Sequence, residues 1–217
     1  MQVGSWVTAG GIVMLPLLGF SLLAVALILE RVIFWVKITR RQERLAREVL
    51  TLYSHNPRNA FLKLEKNTDL PIARIFLAAL ELDRPNPEEF RLALESSAQA
   101  EIPLLKRFNT VFETIISLSP LLGLLGTVLG LIRSFASLKL GELSGSSTLG
   151  VSAGISEALV STAAGLIVAI FTLLFANTFR GLYLRQIALI QEYGGQLELL
   201  YRRYYEQGAP SSYASTG

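Results

Sequence analysis

The 217-residue chain is 51% hydrophobic, only 17% charged and carries a formal net charge of +3. Soluble globular domains hold about 25% charged residues; the deficit here, with no charged side chain among the first 29 residues, points to lipid. Cysteine is absent and histidine occurs once, which excludes disulfide frameworks, thiolate catalysis and cysteine metal sites and leaves no metal-ligand spacing.

In chain order, residues 1–10 read as an external N-terminal segment and 11–36 as a first transmembrane helix. That block exceeds the roughly 20 residues a hydrocarbon core requires. It lacks the basic start and short apolar stretch of a cleavable signal peptide. Glu30 and Arg31 interrupt it near one end, where they are expected to pair locally and snorkel to the interface. Lys37, Arg40, Arg41, Arg44 and Arg47 follow, and no Lys or Arg precedes the block. The positive-inside rule then places the N-terminus outside and the following segment in the cytoplasm.

Residues 37–107 read as a cytoplasmic helical insert. Asn86-Pro87-Glu88-Glu89 has the pattern of an N-cap, a proline at the first helical position and acidic residues in the first turn. Asn56-Pro57 marks an earlier start of the same kind, and His55 before it reads as an exposed turn residue. Residues 108–137 form the second predicted transmembrane helix, 138–151 a Gly/Ser-rich external loop, and 152–180 the third transmembrane helix. Arg180, Arg185, Arg202 and Arg203 again put positive charge inside. Residues 181–207 read as a cytoplasmic helical tail and 208–217 as a disordered C-terminus. The fold class is therefore all-α: a polytopic membrane protein with three long transmembrane helices extended by cytoplasmic ones, N-terminus outside, C-terminus inside.

Basic residues flank apolar blocks rather than forming a separate face, so the bilayer is an expected partner and nucleic acid is not. No cofactor is expected. Neither a phosphate loop nor a dinucleotide fingerprint occurs. The helices contain no Ser-Lys, GxSxG, HExxH or paired-Asp arrangement, so the chain is not expected to be an enzyme.

The chemistry that remains lies in the second and third helices. Pro120, Gly123, Thr127, Gly130 and Ser134 recur at spacings of three and four and fall on one arc of roughly 80°. Such a stripe either lets another helix approach closely or lines a polar path. In the third helix Gly154, Glu157, Ser161, Ala164 and Gly165 share a face, with Thr172 further along and Thr162 to another side. Asn177 lies near the inner end. A carboxylate within a membrane helix costs on the order of 3 kcal/mol, so Glu157 must be protonated, paired or facing a wet cavity. Folding the two helices about a loop centred near Gly145 sets Thr127 level with Thr162, Arg133 with Glu157 and Glu113 with Asn177. Glu157 can then be a proton-handling group or half of a structural ion pair with Arg133; both readings stand.

The run Ser119-Pro-Leu-Leu-Gly-Leu-Leu-Gly-Thr-Val-Leu-Gly130 resembles the second membrane helix of the MotA/TolQ/ExbB proton-channel family. Gly154-Ile-Ser-Glu-Ala-Leu-Val-Ser-Thr-Ala-Ala-Gly-Leu166 resembles its third, with Asn177 matching an inner polar position. Ser117 and Ser119 depart from the alanine-rich forms of this region. The three-helix layout is similar to that of ExbB and TolQ, whereas MotA has four membrane helices. The resemblance implies a homo-oligomer, a pentamer, in the bacterial inner membrane, around an ExbD- or TolR-like single-pass partner whose intramembrane Asp carries the proton. It implies a pathway of Thr127, Glu157 and Thr162, and work delivered through a TonB- or TolA-like protein to import or envelope maintenance. A non-conducting scaffold holding a single-pass partner is the alternative.

Overall fold

The structure, a computed structural model, describes residues 10–141 and 147–208. The expectations for residues 1–9, for the middle of the Gly/Ser-rich loop at 142–146 and for the tail from 209 lie outside the described residues. Among the described residues six helices follow in order: α1 Met14–His55, α2 Pro57–Glu65, α3 Pro71–Leu80, α4 Pro87–Leu105, α5 Asn109–Gly141 and α6 Ser147–Glu206. The described residues contain no strand. Helices α1, α5 and α6 supply three spans long and apolar enough to cross a membrane. With 42 and 60 residues, α1 and α6 far exceed the length a bilayer core requires. Helix also enters both ends of the segment read as a loop at 138–151, since α5 ends at Gly141 and α6 starts at Ser147.

Contacts divide the chain into two compact units, Met1–Arg31 with Phe108–Thr178, and Val32–Arg107 with Phe179–Gly217. In the first, α5 and α6 lie antiparallel, and the start of α1 packs on them. Val13, Met14 and Leu17 form a buried cluster with Leu122, Leu129 and Ala164 against it. Large apolar side chains such as Leu22, Leu121, Leu124, Leu159 and Ile167 are exposed, the surface a lipid-embedded helix presents. Arg31 differs from expectation. It is buried, at 2% exposure, with its guanidinium 5.8 Å from the Phe108 ring centre and 4.0 Å from Glu30. An aromatic face can hold a cation in place of water, so the side chain need not reach outward. Phe108 itself has φ +68° at the break between α4 and α5, a left-handed conformation costing on the order of 1–2 kcal/mol in a residue with a Cβ.

In the second unit the C-terminal parts of α1 and α6 run parallel. Glu43 meets Arg185 at 4.0 Å, Arg47 Nε donates to Tyr193 Oη at 2.8 Å, and Tyr53 packs near Tyr204. Helix α3, apolar almost all round, buries Ile72, Ala73, Ile75, Phe76, Leu77, Ala79 and Leu80, as a helix without a polar face must. Its Arg74 binds Glu101 of α4, Nε to Oε1 at 2.7 Å. The expected caps form. Asn56 accepts from the Asn59 amide, and Asn86 and Glu89 make a reciprocal capping box, satisfying amides that the first turn leaves free. Tyr201 stacks flat on Phe90 with centroids 4.0 Å apart and donates its hydroxyl to Pro85 O. His55 is the exposed last residue of α1.

Between α2 and α3, Asp69 meets Arg41 at 2.7 Å and Lys37 at 3.5 Å on α1. Partial burial pushes its carboxyl pKa up, but the Arg41 hydrogen bond and the two cations outweigh that and hold it below the ordinary value.

Candidate functional site: the α5–α6 helix pair

Small residues decide how closely α5 and α6 approach. A Cβ built on Gly123 lies 3.0 Å from Ser161 O and from Thr162 Cα. On Gly130 it lies 2.6 Å from Gly154 O, and on Gly154 2.7 Å from Gly130 O. On Gly165 it runs into Ser119 O, and on Gly126 into the Ser161 side chain. Real Cβ atoms do not stand so near backbone oxygens, so these glycines set the helix separation.

The buried face of α5 includes Ser119, Gly123, Gly126, Gly130 and Ser134; that of α6 includes Gly154, Ala158, Ser161, Gly165, Ala169 and Thr172. Of the stripe anticipated on α5, Gly123, Gly130 and Ser134 lie in the contact, while Pro120 and Thr127 are only half-buried at its edge. Gly126 and Ala158 belong to the seam and were missed. The arc through Pro120 and Thr127 is centred to one side of the seam, and Gly126, three after Gly123 and four before Gly130, carries the signal.

The hydroxyls turn to backbone carbonyls. Thr162 Oγ1 donates to Gly123 O at 3.1 Å, across the pair. Thr127 Oγ1 donates to Leu124 O within its own helix at 2.6 Å. Ser134 Oγ reaches Gly130 O and Val151 O, each at 3.1 Å. Ser161 Oγ binds Ala158 O at 2.9 Å, Ser119 Oγ binds Ile115 O at 2.7 Å and Thr172 Oγ1 binds Val168 O at 2.7 Å. In a medium without water such bonds satisfy the hydroxyl locally.

These contacts correct the depth pairing expected from the sequence. Gly123 faces Thr162 and Gly130 faces Gly154, so Thr127 is level with Ala158 and about 6 Å from Thr162 along the axis. Steric fit between glycines sets this register, and a symmetric loop does not. By the same register Glu113 and Asn177, both exposed, are not level. Arg133 is likewise not level with Glu157, yet its long side chain crosses the offset, and Nη1 donates to Glu157 Oε1. Glu157 is 16% exposed and Arg133 54%. Gly11, at φ +70°, lies against this carboxylate, since a Cβ there would fall on Glu157 Oε1. Among the described residues no group of three or more His, Cys, Asp or Glu side chains could hold a metal.

Residues 67–192, which include this pair, match the model of the MotA/TolQ/ExbB proton channel family. The chain belongs to that family. A putative biopolymer transport protein, ExbB-like 3, of Synechocystis sp. is 64% identical over 208 residues, covering 96% of this chain and 99% of its own. ExbB-like 1 of the same organism is 43% identical over 204 residues, 93% of this chain and 80% of its own. The Tol-Pal system protein TolQ of Haemophilus influenzae is 35% identical over 106 residues, 49% of this chain and 44% of its own. This MotA/TolQ/ExbB member is thus a multi-pass membrane protein of a channel and transport family, not of an enzyme class.

Proposed function

We propose that the chain is the proton-channel subunit of a bacterial inner-membrane energiser, with its N-terminus outside and residues 37–107 and 181–207 in the cytoplasm. It assembles as a homo-oligomer, a pentamer, around a single-pass ExbD- or TolR-like partner and turns proton flow into mechanical work. That work passes to a TonB- or TolA-like protein for import or envelope maintenance. The observation that carries the proposal is the pairing of Glu157 with Arg133, which ties up the carboxylate inside the third span. On this reading the group that alternates between charged and neutral forms comes from the partner. The single O–H protons of Thr127 and Thr162 go to Leu124 O and Gly123 O. The two hydroxyls serve that group as acceptors for the proton of its neutral form, and as donors to its charged form by exchanging those bonds, without titrating. Glu157, paired with Arg133, stands at the outer end of the pathway, and Asn177 marks its inner end. One proton crossing releases about 2.3 kcal/mol per 100 mV, enough to drive a change in how partner and ring pack.

Proton uptake by liposomes holding this chain, alone and with the partner, tests the proposal. Flux is expected only with the partner, and only when the partner keeps its intramembrane carboxylate. Thr162→Val should lower it about tenfold, the worth of one hydrogen bond of ordinary strength, while Thr162→Ser retains it. Equal flux from Thr162→Val would remove the hydroxyl pathway. A second reading is favoured by the hydroxyls of Ser119, Ser134, Ser161 and Thr172, which bond backbone carbonyls: the chain is a packed scaffold for a single-pass partner, without ion flux. A complex that forms but never conducts would select it.

A further inference from the structure

The Arg133–Glu157 pair has a third wall. Gly11 stands three residues before α1, at φ +70°, where the chain turns into the first span: the Met14 amide bonds Gly11 O at 3.1 Å. A Cβ on Gly11 would coincide with Glu157 Oε1, 2.7 Å from Glu157 Cδ and 3.3 Å from Arg133 Nη1. A Cβ on Gly10 beside it would meet the Met14 side chain and, at 3.4 Å, Val160, and Val13 and Met14 join the buried cluster. The turn is therefore seated against α6, with the Gly11 backbone and the Arg133 guanidinium both at Glu157 Oε1.

We infer that Gly11 is a positioning residue for Glu157. It holds the carboxylate on Arg133 and thereby fastens the entry of α1 to the α5–α6 pair. Two properties of glycine are used at once, the left-handed φ and the missing Cβ, and the second is what the carboxylate requires. A Cβ on Gly11 is accommodated only if the Glu157 carboxylate swings aside, which disturbs its bond to Arg133 Nη1. Gly19, further along α1, has nothing within 4 Å of its Cβ position and serves as the comparison site.

Thermal unfolding of the full chain in lipid nanodiscs decides the matter. Gly11→Ala and Gly11→Asn are measured alone and with Glu157→Asp, beside Gly19→Ala. Asparagine tolerates the left-handed backbone but brings a Cβ, so it isolates the steric demand. Both Gly11 variants should lower Tm, and Glu157→Asp, shorter by one methylene, should restore at least half of each loss. Half-exposed Arg133 can follow the shorter side chain. In an Arg133→Gln background Gly11→Asn should cost less than in the parent, because there is no ion pair left to displace. Additive losses for Gly11 and Glu157, or a parental Tm for Gly11→Asn, would overturn the inference. Should a single Gly11 variant fail to fold, the yield of folded protein replaces Tm: recovery on adding Glu157→Asp supports the inference and no recovery overturns it. None of these outcomes depends on whether the chain conducts, so loss of the channel proposal would leave this result standing.

Discussion

Glycine plays opposite parts at different positions of this chain, and only the neighbour of the absent Cβ tells them apart. Gly130 faces Gly154 O at 2.6 Å from the Cβ position, whereas Gly181, Gly194 and Gly195 have nothing within 4 Å. Gly130→Val should therefore push α5 from α6 and cost about 1–3 kcal/mol or more, as overpacking does. Gly181→Ala should gain about 0.5–1 kcal/mol, because a helix interior prefers alanine when space allows. Denaturant unfolding of the purified protein in detergent measures both, and similar values for the two would contradict the packing described for the seam. Thr162 and Thr127 differ in the same way: one hydroxyl crosses to the other helix and the other stays within its own. Both are threonines in an apolar run, and the sequence treats them alike.

Elements are held to one another by a few charged contacts outside the membrane spans, and these make stability depend on pH. Asp69 ties the α2–α3 connection to Arg41 and Lys37 of α1, and Glu48 of α1 meets Arg44 and, at 3.1 Å, Lys63 of α2. Both carboxyls lie below their ordinary pKa. For Asp69, burial works against the shift and its two cations overcome it; for Glu48 the Arg44 and Lys63 hydrogen bonds lead. A depressed folded-state pKa gives stability that is present above the unfolded value, near 4, and is lost as pH falls through the folded value. Acid unfolding should thus set in below about pH 4, with a midpoint that Asp69→Asn makes less steep in pH. Circular dichroism from neutral to acidic pH follows it; an unchanged acid limb in Asp69→Asn would mean the bridge is too well solvated to matter. The register of α5 on α6 is also an element-scale result. It follows which glycines can abut, and no count from a loop centre could supply it.

For the whole molecule, the distribution of charge makes a prediction about sidedness. Lys37, Arg40, Arg41, Arg44 and Arg47 follow the first span and Arg180, Arg185, Arg202 and Arg203 the third, an asymmetry that orients polytopic chains. Since the natural chain has no cysteine, single cysteines can report on it. Exposed positions Arg40 and Arg203, changed to Cys one at a time, should react with an impermeant maleimide in inverted vesicles and not in intact spheroplasts. Labelling from the spheroplast side would reverse the proposed orientation.

Much of this protein is written in its one-dimensional pattern. Three apolar runs longer than a bilayer core define three spanning helices, because unpaired backbone groups cannot lie in lipid. Asn56-Pro57 and Asn86-Pro87-Glu88-Glu89 mark helix starts, because capping is satisfied within a few residues of the cap itself. The two small-residue motifs of α5 and α6 disclose the family. Tertiary structure alone decided the rest. Glycine-to-backbone clearances set the register that separates Thr127 from Thr162 in depth and brings Gly126 and Ala158 into the seam. Burial of Arg31 under the Phe108 ring depends on two residues 77 positions apart. Gly11 meets Glu157 only because the entry of α1 packs beside the first turns of α6. A pattern along the chain records which face of a helix is small or apolar; which atoms that face meets is fixed only when another helix packs upon it.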